Sequence, residues 1–352
     1  MNATTVAVDL AKNVFELAVA DEKWRVVQKL RLTRTQFERW FTNRNVELVV
    51  MEACGSAHFW ARTLRDKGIK VWLLPAQYVR AYVKRNKTDA ADACALLEAA
   101  RASDIQPVAI KSVEQQALQA LHRTREGWKS TRTRRINTLR GFCREFGLIV
   151  PEGAVQGLAQ IARYLADEHC GLPMILRGSM RLMLEEIRLM EARIGQLERE
   201  LAQFAAQSAH CQALLTIPGI GLLTSTAMVA AVADPRRFPS GRRYSSFLGL
   251  TPREFSSGEQ RYLGRISKRG DRYIRMLLVH GARSILRAAT VAQRTGRHVD
   301  TLKRWALNVQ ARTNHNKAAC ALANKLARIA WAVWVKHETY QAQRTSATPV
   351  NA

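Results

Sequence analysis

The feature that most constrains this 352-residue chain is the alternation of strand and helix signals through its first hundred residues. Residues 4–8 (TTVAV), 14–20 (VFELAVA) and 24–32 (WRVVQKLRL) are β-branched or alternating runs separated by short polar turns, and they predict three consecutive strands in a meander. A capped helix is predicted over 35–42, a buried strand over 46–51 (VELVVM), a helix over 57–67 and another strand over 69–74 (IKVWLL), with helical periodicity from Gln77 onward. The order is therefore βββαβαβα.

Three antiparallel strands followed by two parallel additions with crossover helices is the plan of an RNase H-like fold. Asp9 ends the first predicted strand in VAVDLAK and Glu52 ends the fourth in VVMEACGS. On that plan the two strands are neighbours, so the two carboxylates face each other and repel unless a cation lies between them. Asp89 and Asp92 lie three apart in NKTDAADACAL, on one face of a helix that can dock on the same sheet edge. Four such oxygen donors suit two Mg²⁺ (or Mn²⁺) ions roughly 3.5 to 4 Å apart, the arrangement used for phosphodiester chemistry. Each acid also has a second reading: Asp9 as a turn residue, Glu52 as a strand-end charge, Asp89 as a helix cap, and Asp92 as a first-turn acid favoured by the helix dipole. Lys87 beside them reads equally as a phosphate contact or a solvated flank.

Charge points to the partner. Lys and Arg number 55 against 29 Asp and Glu, a net charge of +26, which calls for a polyanion, nucleic acid by default. No stretch approaches the roughly 20 apolar residues of a spanning helix, and the first residues lack a signal-peptide pattern, so no membrane partner and a cytoplasmic location are expected. The six cysteines form no CxxC pair, which indicates neither a disulfide framework nor a structural zinc site.

Residues 113–145 predict one long basic helix in which Arg123, Arg125, Lys129, Arg132 and Arg135 stand near a single acid, Glu126. That helix reads either as a solvated face or as one lying along a phosphate backbone. Gly and Pro around 151–173 break the periodicity. Met180, Met183, Ile187, Met190, Ile194, Leu197, Leu201 and Phe204 then recur at spacings of three and four, a heptad seam that can pair with the basic helix or with a second copy. In LLTIPGIG, Pro218, Gly219 and Gly221 predict a tight turn between apolar helices, either an ordinary connection or a helix-hairpin-helix whose N–H groups hold a phosphate. The expected divisions are 1–110, an acidic α/β domain; 111–210, the basic helix and heptad region; 211–340, a mainly helical domain; and 341–352, a polar tail.

Residues 236–287 hold thirteen Arg or Lys against three acids. Within them, FSSG is surrounded by Arg253, Arg261, Arg265, Lys268, Arg269, Arg272 and Arg275, a field that would stabilise a serine attacking a phosphodiester. The same residues also read as a simple Ser/Gly turn.

The motifs VAVDLAK, VVMEACGS, NKTDAADA, LLTIPGIG and FLGLTPREFSSGEQRYLGRISKRGDRYIR occur in the order seen in DEDD transposases of the insertion sequence 110 family, which the chain resembles over nearly its whole length. The arginine-rich middle also resembles the insertion sequence 1111 subgroup. The resemblance implies a RuvC-like domain whose acids are Asp9, Glu52, Asp89 and Asp92, and a C-terminal domain whose serine before glycine, Ser257, forms a covalent phosphoserine link to DNA. Ser256 is its immediate neighbour. It further implies an element-encoded guide (bridge) RNA that pairs with donor and target DNA, and homodimers that assemble into a tetramer. A metal-dependent nuclease of the Holliday-junction resolvase type, with water attacking, and a non-catalytic nucleic-acid-binding assembly protein are the alternatives.

Overall fold

The computed structural model describes residues 4–83 and 89–342, except for the side chain of Asp89; Lys87 and residues 343–352 lie outside the described residues. They form two compact units, Met1–Val113 and Glu114–Ala352, so the expected middle and C-terminal regions share one unit.

In the first unit the strands are β1 (Thr5–Leu10), β2 (Val14–Ala20), β3 (Val26–Thr33), β4 (Leu48–Glu52) and β5 (Lys70–Leu74), and the helices are α1 (Arg34–Trp40), α2 (Ala57–Asp66), α3 (Ala76–Val79) and α4 (Asp89–Arg101). The sheet order is β3-β2-β1-β4-β5. β1 and β2, and β2 and β3, pair antiparallel, while β4 joins β1 and β5 joins β4 in parallel. Alternation along each strand divides the core in two. Val6, Val8, Phe15, Leu17, Val49 and Met51 meet Trp60, Ala61 and Leu64 of α2 on one face. Ala7, Ala18 and Val50 meet Ala93, Leu96 and Leu97 of α4 on the other. Phe15, Phe37 and Trp60 are mutually edge-to-face, with centroids 4.9 to 5.2 Å apart, which closes the α1/α2 side around rigid rings. Thr33 begins α1 with a reciprocal capping box to Gln36.

The second unit contains α5 (Val113–Glu145), α6 (Ala154–Ala166), α7 (Met174–Gln207), α8 (Ala209–Leu215), α9 (Leu222–Ala231), α10 (Gly241–Phe247), a ribbon of β6 (Pro252–Glu254) and β7 (Leu263–Ile266), then α11 (Arg272–Arg294), α12 (Thr301–Arg312) and α13 (His315–Lys336). The heptad seam pairs within the chain. Met180, Ile187 and Met190 of α7 are buried with Ile136, Leu139 and Cys143 of α5, and with Ile161 and Leu165 of α6. Arg125–Glu198, Arg132–Glu191 and Arg135–Glu186 run in opposite chain directions, so α5 and α7 are antiparallel.

The stretch 151–173, read as a break, contains the helix α6: its flanking Gly and Pro residues conceal the apolar face of Ile161 and Leu165. And α13 is, by length and composition alone, apolar enough to cross a membrane. In this structure Leu322, Leu326 and Ala330 of α13 are buried in the core formed with α8 to α12.

Candidate active site and nucleic-acid interface

The parallel ladder between β1 and β4 ends at Val8 and Met51, and Asp9 and Glu52 are the next residue on each strand. Asp9 continues the face of Ala7 and Glu52 the face of Val50, so both carboxylates belong to the side of the sheet covered by α4. Both are half-buried. Their charges act on a common neighbour: the Cys54 thiol pKa is raised first by burial and then by Glu52 and Asp9. α4 begins at Asp89 and carries Asp92 one turn later, on the helix that covers these strand ends. Asp92 is half-buried, and its Oδ1 is enclosed with no hydrogen-bond partner among the described residues.

A carboxylate oxygen enclosed without a donor is costly unless a cation or proton satisfies it. Hard carboxylate oxygens from two strand ends and a helix start are donors suited to Mg²⁺ or Mn²⁺. The residues present therefore fit a divalent cation. Among the described residues no group of three or more His, Cys, Asp or Glu side chains is close enough to hold a metal by itself, and the side chain of Asp89 is not among them.

Ser257 lies on an exposed β-ribbon in the second unit. Pro252 pairs with Ile266 and Glu254 with Leu263; Phe255 N–H then donates to Tyr262 O at 2.9 Å. Ser257 and Gln260 exchange N–H···O bonds of 3.2 Å each across a turn that contains Gly258 at φ +57°. The two neighbouring serines differ in what their hydroxyls do. Ser256 Oγ donates to Glu254 Oε1 at 2.8 Å and accepts from Tyr262 N–H at 3.2 Å, so it braces the ribbon. Ser257 is exposed, and among the described residues its hydroxyl makes no hydrogen bond.

The ribbon's stem depends on two glycines. A Cβ on Gly249 (φ +70°) would stand 2.0 Å from Arg269 O, and one on Gly270 (φ +83°) 1.8 Å from Phe247 O. Only glycine lets the incoming and outgoing strands cross this closely with left-handed backbone. Arg275 fastens the crossing through Nη1, which donates to Leu248 O (3.0 Å) and Arg269 O (3.2 Å).

The structure thus redistributes the predicted phosphate contacts. Lys268, Arg269 and Arg272 are exposed around the stem, and Arg253 and Arg261 flank the ribbon, Arg261 with its Nε 3.5 Å from Glu254. Arg275 is a structural tie. On α5, Arg125, Arg132 and Arg135 are ion-paired to Glu198, Glu191 and Glu186, and Lys129 to Glu126. The acids that seemed missing from the basic helix come from α7, and of the predicted α5 set Arg123 and Lys129 are exposed, Lys129 being paired with Glu126. An open 710 Å³ groove lined by Glu126, Lys129, Ser130, Thr133, Arg134 and Asn137 marks the polar side of α5. The PGIG turn forms as expected between α8 and α9, but a Cβ on Gly219 would strike Ile285 at 2.7 Å and Gly281 O at 3.0 Å. Gly219 therefore serves close packing against α11. Gly221, the exposed N-cap of α9, has no side-chain cap.

Strand-end acids beneath a helix and a basic, serine-tipped ribbon are groups suited to work on a polyanion, and comparison with known proteins gives the class, an enzyme that acts on DNA. Residues 6–147 match the transposase family DEDD_Tnp_IS110, and residues 211–297 match the Transposase IS116/IS110/IS902 family. A probable family 20 transposase of Pseudomonas aeruginosa is 41% identical over 97% of this chain and 99% of its own length. The transposase for insertion sequence element IS1111A of Coxiella burnetii is 39% identical (96% and 91%), and that for IS1328 of Yersinia enterocolitica 36% identical (94% and 97%). The chain belongs to the IS110 family of DEDD transposases: it is an insertion-sequence transposase, an enzyme of a family that uses divalent metal ions.

Proposed function

We propose that this transposase cuts and rejoins DNA through Ser257, with the first unit in an RNase H-like, specifically RuvC-like, arrangement. The observation that carries the reading is the division of labour between adjacent serines: Ser256 is held by Glu254 and Tyr262, while Ser257 Oγ is unengaged at the tip of a ribbon flanked by cations. Ser257 Oγ attacks phosphorus; the Oγ–P bond forms, the P–O3′ bond breaks, and the serine proton leaves with the 3′ hydroxyl. Rejoining is the reverse, with another 3′ hydroxyl attacking phosphoserine. The phosphoester energy is conserved, so no nucleotide cofactor is required. Arg253 and Arg261 place positive charge beside the phosphate oxygens. Asp9, Glu52, Asp89 and Asp92 would hold Mg²⁺ or Mn²⁺, which would supply Lewis-acid polarisation of a phosphodiester.

Sequence choice is assigned to an element-encoded guide RNA paired with donor and target DNA. The supports are the +26 charge, the open polar side of α5, and the resemblance to the insertion sequence 1111 subgroup. Action on DNA would place the protein in the cytoplasm, at the nucleoid. The enzyme would assemble as homodimers and tetramers through surfaces other than the heptad seam, whose Met180, Ile187 and Met190 are covered by α5 and α6.

Trapping under denaturing conditions tests the serine. Protein-linked DNA is expected from the native enzyme and from Ser256→Ala, and none from Ser257→Ala. Cleavage without any linked protein would instead favour the water-using nuclease. Sequencing RNA that copurifies with active enzyme tests the guide: one defined structured species is expected, and its absence would refute that part.

A further inference from the structure

Large aromatic side chains are normally covered, yet Phe255 is 61% exposed and Tyr262 65% exposed on the ribbon that carries Ser257. They are cross-strand neighbours, joined by the Phe255 N–H···O=C Tyr262 bond, with ring centroids 6.1 Å apart and planes at 49°. The ribbon is shaped for the phenyl ring: a Cβ on Gly264 would stand 3.0 Å from Phe255 Cε2, so the missing side chain is the ring's seat. Phe255 is two residues before Ser257, and Arg253, Arg261 and Arg265 belong to the same ribbon. Two exposed π-faces within a cationic field complement a polymer that presents both phosphates and flat apolar rings. In a duplex the base faces are covered by their neighbours, so only an unpaired or extruded base offers a free one.

We propose that Phe255 and Tyr262 form a stacking platform for an unpaired DNA base flanking the phosphate that Ser257 attacks. By capturing such a base the rings would hold the strand open and fix the distance from base to nucleophile, a wedge role like that of apolar side chains inserted at base steps. Its placement beside the scissile phosphate rests on the serine reading above; the stacking itself does not.

The test uses the full chain with single-stranded DNA containing 2-aminopurine, the duplex of the same sequence, and the corresponding RNA strand. Phe255→Ala combined with Tyr262→Ala is expected to weaken single-stranded DNA binding roughly tenfold or more, to abolish 2-aminopurine quenching, and to leave duplex affinity nearly unchanged. Phe255→Trp and Tyr262→Phe should preserve both signals, while Gly264→Ala, which displaces the ring without removing it, should reduce quenching. Equal losses on single strand and duplex, unchanged single-strand binding, or a stronger ring dependence for RNA than for DNA would overturn the proposal. Ser257→Ala should keep the quenching while losing the covalent adduct, so failure of the platform and failure of the nucleophile are read separately.

Discussion

The acidic sheet edge and the serine ribbon solve opposite problems. Asp9 and Glu52 are fixed by a parallel ladder whose two faces are both packed, so their separation is set by the core. Ser257 rides on two short exposed strands whose stem crosses closely at Gly249 and Gly270. A site for cations needs like charges held together against repulsion, which demands a scaffold. The proposed nucleophile needs reach to enter a DNA strand, which demands exposure. The difference teaches that the two regions should fail differently when altered: the first through chemistry with little change in folding, the second through geometry.

The largest contrast is expected at Asp92. Asp92→Asn should lower strand cleavage at least about a hundredfold, the scale seen when partners of metal ligands are lost. Stability should be unchanged or rise by up to about 1 kcal/mol, because an enclosed carboxylate oxygen with no partner among the described residues loses its charge. Parallel cleavage assays and urea titrations check this, and a substantial loss of stability would put Asp92 in the folding core instead.

The stem glycines should show the reverse. Gly270→Ala places a Cβ 1.8 Å from a backbone oxygen at φ +83°, and the chain must shift; a loss of about 3 kcal/mol or more is expected in urea unfolding, with adduct formation lost as well. Gly258→Ala, at φ +57° but with nothing within 4 Å of its Cβ, should cost only about 1 kcal/mol.

Acid should loosen both units, since each holds a histidine whose pKa is lowered to about 4. His58 Nδ1 accepts the Lys111 N–H, and burial together with Lys111 and Arg62 lowers its pKa to about 4. His122 bonds Tyr273 Oη (3.2 Å) and Thr226 Oγ1 (3.0 Å), and burial, then Arg125, lowers its pKa to about 4. Their folded values lie below the ordinary 6.5, so the unfolded chain binds the proton first as pH falls. The stabilisation is complete above about pH 6.5 and lost as pH falls to about 4. Thermal unfolding across that window should show a falling midpoint, and a variant with both His58→Gln and His122→Gln a flatter one.

The smallest effect is expected on the α5–α7 pair. Arg125 is only 11% exposed, and its guanidinium bonds Glu198 at 2.7 and 2.8 Å, so Glu198→Ala should cost about 1 to 2 kcal/mol. The more exposed Arg135–Glu186 pair should cost less than about 0.5 kcal/mol. Denaturant titration of both variants would order them.

The first unit was legible because its information is local. Period-two runs placed β2 at its observed bounds, and the βββαβα order put Asp9 and Glu52 on adjacent strands. The 33 residues of α5 were equally plain from helical periodicity. What escaped depends on partners distant in sequence. Glu186, Glu191 and Glu198 neutralise arginines more than fifty positions away, so the basic helix seemed emptier of acids than it is. The PGIG turn signalled a tight connection, but its contact with Gly281 of α11 could not be read. Likewise, the chemistry of SSG did not separate the two serines, which only the family resemblance did; the Ser256–Glu254 bond shows that one of the two hydroxyls is occupied.

The central claim is that Ser257 is the residue that joins DNA. Arg253 and Arg261 bound a tryptic peptide, residues 254–261, that contains both serines. Mass spectrometry of that peptide from enzyme denatured during turnover and digested with nuclease should locate the nucleotide on Ser257. A nucleotide on Ser256, or an unmodified peptide from a reaction in which DNA has been cut, would contradict it.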